Sequence, residues 1–398
     1  MLKIETGERR RRPSPVDEHF VTRALVSAHE SCPVARLAAG LGPGPFALVL
    51  LFVSPEADVA AVVSESSRAW PGARIAGCTT AGEISGAGYE EESIVAVGFR
   101  ANHFAAETFL IQNLSTLAAD TLSNTLLHIR QTLARDHGHL AQEFALLLVD
   151  GLSAREDELA SALAAATGAM PLIGGSAGDG VHFRETLVFE GERLLPNAAV
   201  ISVIRGDCPL RPFKMDHIKP TERRMVVTEA NPAARIVRCI NGEPAVREYA
   251  RLIGMEPESV NTLTFAIHPL TVRMGDRHHV RAIQRVLPSG ELLFFSAIDE
   301  GMVLTIAEPH DLVGHLSTEL QALKDPADPV AVLAFDCILR RIEAQERQMT
   351  GPVSELLRQH GVIGFSTYGE QIGPMHINHT MTGFAFYPPG TVVSEGGS

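Results

Sequence analysis

Three segments of this 398-residue chain repeat one plan, and no other feature of the sequence limits the fold so tightly. The first opens at Phe46-Ala-Leu-Val-Leu-Leu-Phe-Val, the second at Phe144-Ala-Leu-Leu-Leu-Val-Asp and the third at Val332-Leu-Ala-Phe-Asp. Each opening is a continuous apolar run of strand length, as a strand covered on both faces requires. Helical stretches follow at 58–67, 155–167 and 340–360. Short apolar strands return at 73–76, 171–173 and 362–363, and end at Gly77, Gly174 and Gly364. The distances from opening to glycine are 31, 30 and 32 residues. Strand, helix, strand at that length is the parallel unit with a right-handed crossover. The chain is therefore predicted to be α/β, with two domains built from repeated βαβ-type units and mixed sheets.

A polar bend follows each returning strand. The first reads Gly77-Cys78-Thr79-Thr80-Ala81-Gly82-Glu83 and the third Gly364-Phe365-Ser366-Thr367-Tyr368-Gly369-Glu370. The second is shorter, Gly174-Gly175-Ser176-Ala177-Gly178-Asp179. Glycine permits close backbone approach, and small hydroxyls supply short donors and acceptors. Bends at the carboxyl ends of parallel strands lie where open α/β sheets bind ligands. The expectation is that the three bends converge on one hollow, between the domains, lined by Thr79, Ser176 and Ser366 and by acidic groups. Further strands are expected at 93–99, 186–189 and 380–386.

Elsewhere the pattern is looser. Residues 1–18 carry Arg9 to Arg12 in a row and read as a disordered basic tail, because like charges keep such a block extended. A helix is expected over 19–40, stopped by Gly40. Between the second and third copies, Asn241-Gly242-Glu243-Pro244 opens a helix that runs to Gly254. Short strands are expected at 262–267, 280–286, 292–297 and 302–306. A domain boundary is expected near Asn231-Pro232, giving domains at 19–232 and 233–387, with a flexible tail over 388–398.

Lys and Arg number 34 against 47 Asp and Glu, a net charge of −13. So acidic a chain lacks the positive field that nucleic acid or an anionic membrane selects, and both partners are excluded. No stretch reaches the roughly 18 apolar residues of a membrane span. The N-terminus has no apolar leader, and a cytoplasmic location is expected. The five cysteines, Cys32, Cys78, Cys208, Cys239 and Cys337, form no C-x-x-C pair, which argues against a disulfide framework or structural zinc. Phosphate-loop, nucleophile-elbow and dinucleotide signatures are all missing.

Several residues are candidates for chemistry. Glu83 and Glu370 end the two matched bends. They pair with the amine of a ligand, or they cap backbone N–H groups. Asp150 and Asp336 end the opening strands of copies two and three, with Ser54 in the matching place in copy one. They point into the crevice, or they form turns. Cys78 is a nucleophile only with an activating base or positive field, and otherwise a small buried thiol. The ligand-facing set expected from the bends is Cys78, Thr79, Thr80, Glu83, Asp150, Ser176, Asp179, Asp336, Ser366, Thr367, Tyr368 and Glu370.

The bends, together with Phe335-Asp336-Cys337 and the terminal Asn378-His379-Thr380, resemble the FIST family, which pairs an N-terminal with a C-terminal FIST domain. The likeness covers about residues 34–386. It implies an intracellular sensory protein that binds a small ligand, and it makes 19–232 FIST N-like and 233–387 FIST C-like. No output domain follows Phe386, so the resemblance implies signalling in trans to a histidine kinase or a cyclic-dinucleotide enzyme. The family includes haem-binding, nitric-oxide-sensing members. The implied ligand is accordingly haem or an amino-acid-like metabolite, with His379, His376 and His279 the candidate axial ligands. The competing reading is an enzyme that acts on a small amine or carboxylate in the same inter-domain pocket.

Overall fold

The structure is a computed structural model, and it describes residues 20–275 and 277–393. The basic tail expected over 1–18 lies outside the described residues, as do the last five residues of the tail expected over 388–398.

The repeat is longer than the sequence motif suggested. Each copy begins with an edge strand: Val21–Ser27, Phe104–Gln112 and Leu210–Asp216. A helix comes next, then an opening strand: Phe46–Val53, Gln142–Val149 and Ala331–Cys337. Helical crossovers lead to the returning strands Arg74–Thr79, Leu172–Ser176 and Val362–Thr367, each parallel to its opening strand. A short hairpin follows, and the closing strands Ser93–Arg100, Ala198–Gly206 and Thr380–Phe386 complete the copies. The closing strand inserts antiparallel between edge and opening strands in all three sheets.

Each hairpin leaves its own sheet. Copy one sends Glu83–Ser85 and Gly88–Glu90 to the returning strand of copy three. Copy three sends Glu370–Ile372 and Met375–Ile377 to copy two, and copy two sends Val188–Glu190 and Arg193–Leu195 to copy one. The three six-stranded sheets are thus linked in a ring. Alternation along the opening strands builds the layers. Leu48, Leu50 and Phe52 meet Phe144, Leu146, Leu148, Leu333 and Phe335 in one central core, while Val49, Leu51 and Val53 face helices of their own copy. The apolar runs are continuous because both faces are covered.

The returning strands show why glycine recurs. A Cβ at Gly364 would lie 1.7 Å from Ala334 O on the opening strand, and the same atom at Gly77 and Gly174 would lie 2.2 and 1.9 Å from Leu51 O and Leu147 O. No side chain fits against a backbone that close.

The third copy carries an insertion between its edge strand and the helix Leu312–Ala322. It is an eight-stranded sheet running from Ile218–Asn231 to Val303–Pro309, with its own core of Val227, Tyr249, Phe265 and Leu304. Its Ala266, Val280, Ala282 and Phe295 pack on Ala81, Ile338 and Tyr368 of the repeats, which makes a seam.

Three expectations are corrected, and the place of the expected domain boundary is noted. Residues 19–40 are not one helix: Val21–Ser27 is an edge strand with alternating burial, and the helix is Pro33–Leu41. Residues 262–267 form a helix, because Asn261 and Thr264 exchange 3.2 Å hydrogen bonds as a capping box. The helix expected over 340–360 is two, Ile338–Glu346 and Thr350–Gln359, parted by a left-handed Gln348. Asn231-Pro232, the expected boundary, sits in the turn between two paired strands of the inserted sheet.

Candidate functional site

The bends meet, but they close on one another. Ser366 N–H donates to Gly82 O at 2.7 Å and Ala81 N–H to Ser366 O at 2.9 Å. Ser176 N–H donates to Gly369 O at 2.8 Å, and Gly178 N–H to Thr79 O at 3.0 Å. These bonds run between copies in the same cyclic order as the exchanged hairpins. The Gly-x-Ser/Thr residues lie within the carboxyl ends of the strands, not in loops. Register alternation turns Cys78, Gly175 and Phe365 inward and Thr79, Ser176 and Ser366 outward. Phe365 fills the axis against Phe52 and Phe335, with ring centroids at 4.6 and 5.5 Å. The expected hollow lined by the three hydroxyls is therefore a packed aromatic centre. Its hydroxyls work elsewhere: Thr79 Oγ1 accepts from Leu187 N–H at 3.1 Å, and Ser176 Oγ from the Gln371 amide at 2.9 Å.

The bend carboxylates are equally committed. Glu83 is buried, accepts from the Thr80 hydroxyl, and accepts from Ser93 N–H at 3.2 Å. Glu370 repeats this with the Thr367 hydroxyl at 2.5 Å and with Thr380 N–H and Oγ at 3.3 and 2.7 Å. Burial pushes the Glu83 carboxyl up to about 7 and that of Glu370 to about 8, against the downward pull of these donors. Asp179 accepts from the N–H groups of Phe183, Arg184 and Glu185 at 2.8 to 3.0 Å and from the Tyr368 hydroxyl. Asp150 takes Leu152 N–H at 2.9 Å, Asn197 N–H and the Thr186 hydroxyl. All four accept from backbone N–H groups. The Cys78 thiol is fully buried, and burial pushes its pKa well up, against the thiolate that a nucleophile requires.

Asp336 is not the counterpart of Asp150. In register it matches Val53 and Val149, whereas Asp150 matches Ser54 and Cys337. One residue of offset turns it to the opposite face. There it joins a buried chain drawn from three parts of the fold. The Tyr89 hydroxyl donates to Asp336, Arg340 Nε donates to it at 2.7 Å, and Arg340 Nη1 donates to His217 Nδ1 at 2.8 Å. A guanidinium only donates, so Nδ1 accepts and His217 Nε2–H donates to Glu343 at 2.8 Å. Burial and the Arg340 charge push the His217 pKa down, and burial raises Glu343 to about 7. Tyr89, His217, Arg340 and Glu343 were absent from the candidate set. The i, i+4 spacing of Asp336 and Arg340 was the legible signal.

Polar atoms without partners recur around the hairpin of copy three, where Gln371, His376 and Asn378 adjoin one another. Such buried side-chain atoms among the described residues include Gln371 Oε1, His376 Nε2 and Asn378 Oδ1, with others on His379 and Thr382. These side chains are 0 to 2% exposed. Gln371 and His376 face each other across the exchanged hairpin of copy three, and the Asn378 amide donates to Tyr368 O at 3.1 Å. A buried polar atom left unpaired costs about 1 to 3 kcal/mol, so these atoms mark a candidate site. Gln371 and Asn378 lay outside the candidate set, although Asn378 was in the motif.

Beside them, Tyr368 stacks on Phe183 at 4.6 Å and faces Phe295 of the inserted sheet at 6.0 Å. Arg235 of the insertion binds Glu156 of copy two at 2.6 Å across the same seam. Two surface clefts of about 310 and 320 Å³ lie elsewhere, at Phe109–Leu122 and Ala38–Ala73.

An axial haem ligand must offer a ring nitrogen across a slot that admits the macrocycle. His376 abuts Gly369, where a Cβ would lie 2.2 Å from its Cε1, and its Nδ1 is bonded to Gln371 at 3.2 Å. His379 is enclosed near Arg340 and His217 and has a left-handed backbone. Neither residue fits haem as it stands. His279 is half-buried on the strand Arg277–Arg281 of the inserted sheet.

No helix among the described residues is long and apolar enough to cross a membrane. Residues 47–243 match the family model described as the FIST N domain, and residues 245–373 match that of the FIST C domain. No curated protein matches the chain.

Proposed function

The chain belongs to the FIST family, whose domains sense small ligands in signal transduction, and from that premise we propose a cytoplasmic sensor that binds its ligand at the exchanged hairpin of copy three. The carrying observation is the cluster of unpartnered polar atoms on Gln371, His376 and Asn378. A ligand that pairs them removes a cost present in the free protein and stabilises this arrangement. The hairpin touches three parts at once: copy three supplies it, copy two pairs with it, and the inserted sheet faces it through Tyr368. Occupancy would therefore bias how the insertion sits on the repeats. That bias is the signal a separate histidine kinase or cyclic-dinucleotide enzyme would read.

The same geometry favours a sensor over an enzyme. The carboxylates offered for acid–base work are each bound by two or more donors, and the Cys78 thiol is held protonated. A polar metabolite is favoured over haem by the packing around His376 and His379. The test is a thermal-shift screen of the full chain against small metabolites and haemin, repeated on Asn378→Ala. Ligands whose shift disappears in the variant support the reading. A Soret band that moves with nitric oxide and survives in both His376→Ala and His379→Ala would replace it.

A further inference from the structure

We propose that the hairpin site takes an uncharged ligand presenting two N–H donors beside one acceptor, the pattern of a carboxamide, a urea or a nucleobase edge. This rests on the placement of the ligand site proposed above. Hydrogen bonds already made fix what each side chain has left to offer. The Gln371 NH2 faces Ser176 Oγ at 2.9 Å, Gly369 O at 3.5 Å and His376 Nδ1 at 3.2 Å. A carbonyl only accepts, so the amide nitrogen must lie on this side and Oε1 is the atom left over. The Asn378 NH2 donates to Tyr368 O at 3.1 Å, and again the oxygen is left. His376 accepts at Nδ1, so its proton is on Nε2, which has no acceptor.

The remainder is two acceptors and one donor, all without formal charge. They stand together: a Cβ at Gly369 would lie 2.7 Å from His376 Nε2 and 2.9 Å from Asn378 Nδ2, so both side chains close over the same glycine. Burial keeps His376 neutral. The charges acting on His376 are Glu156, Asp157, Arg235 and Arg281; Asp157 lies 4.0 Å from Arg235, and the Arg281 guanidinium donates to Val280 O at 3.4 Å. Glu156 is bound to Arg235 at 2.6 Å, and Glu370 points to the opposite face of the hairpin, tied to Thr367 and Thr380. A carboxylate would meet two carbonyl oxygens, and an ammonium would bring a charge that these three neutral groups do not offset. Among the described residues no group of three or more His, Cys, Asp or Glu is placed to hold a metal.

The experiment is calorimetry and thermal shift on the full chain with two probe sets: uracil, adenine and nicotinamide, against glycine, glutamate and lysine. The expected result is saturable binding of at least one uncharged probe, weakened about tenfold or more by Asn378→Ala, as loss of a buried hydrogen bond predicts. Gln371→Met asks the same question should Asn378→Ala fail to fold. Binding of the charged set, lost in these variants, would overturn the ligand class and leave the site standing. Binding of an uncharged probe that both variants leave unchanged would overturn the site as well. No shift with any uncharged probe also overturns the class.

Discussion

Glu370 closes its hairpin onto Thr380, accepting from that residue's N–H at 3.3 Å and its hydroxyl at 2.7 Å. Glu83 makes the same closure on Ser93 N–H at 3.2 Å in copy one. Burial raises both carboxyls, to about 8 and about 7, and raises Glu343 to about 7. A carboxyl whose folded pKa lies above its unfolded value near 4.5 binds more protons folded than unfolded across that interval. Its contribution is full below the unfolded value and is lost as pH rises through the folded one. His217, His376 and His379 are pushed down by burial, so their contribution is present above about 6.5 and fades on acidification. Above about pH 7.5 the unfolded histidines have lost their protons, and between about pH 6.5 and 8 the three glutamates outweigh the remaining rise from the histidines. Stability should therefore fall across that interval, measured as the urea midpoint, and Glu370→Gln should flatten the fall. A midpoint that rises from pH 6.5 to 8 would contradict the assignment.

Asp336 and Arg340 are both fully enclosed, and each is the other's charge partner at 2.7 Å. Removing either alone leaves a buried charge. Asp336→Ala or Arg340→Ala should each cost about 3 to 5 kcal/mol in urea unfolding, with the Asp336→Leu, Arg340→Met double variant recovering most of it. Tyr89→Phe should cost about 1 to 2 kcal/mol and be non-additive with Asp336→Ala. Full additivity would mean that Tyr89 and Asp336 are not coupled.

The repeat was legible because its signals are local. Apolar runs such as Phe46 to Val53 and the recurring Gly77, Gly174 and Gly364 survive as sequence whatever surrounds them. The hairpin exchange was not legible, since nothing in Glu83-Ile-Ser distinguishes pairing with its own sheet from pairing with that of copy three. The bends were located correctly, but their contents were misread for one reason. Thr79, Ser176 and Ser366 lie inside strands, where alternation, not polarity, decides which way a side chain points. Asp336 was misplaced by a single residue, enough to reverse its face. Gln371 and Asn378 became visible only when their partners were known, because an amide's free atom is defined by what its other atom binds.

Gly364→Ala tests whether the repeated glycine is structural. The added Cβ would meet Ala334 O at 1.7 Å, and the φ of 151° adds strain, so neither backbone can yield without breaking the parallel pair. The variant should fail to accumulate as folded protein. Gly351→Ala, in the helix Thr350–Gln359 with nothing within 4 Å, should instead stabilise by about 0.5 to 1 kcal/mol. Circular dichroism melts of the pair decide it, and a folded Gly364→Ala protein with wild-type Tm would refute the account.

Asp179 organises the segment that covers Tyr368. Three N–H groups of residues 183–185 point at its carboxylate, and Phe183 takes a left-handed φ of 53° to stack on Tyr368. A bulky residue in that conformation persists only where contacts hold it. Without the carboxylate the three N–H groups lose their common acceptor and the strained turn has no reason to form. Asp179→Ala should loosen 180–187 while the sheets, whose ladders it does not touch, stay folded. Limited trypsin digestion should then cut after Arg184 about tenfold faster or more, the ratio expected for a local loss of about 1.4 kcal/mol. Phe183→Ala keeps the carboxylate and should give a smaller increase. Equal cutting rates in all three proteins would show that Phe183 and Asp179 do not hold this segment against Tyr368.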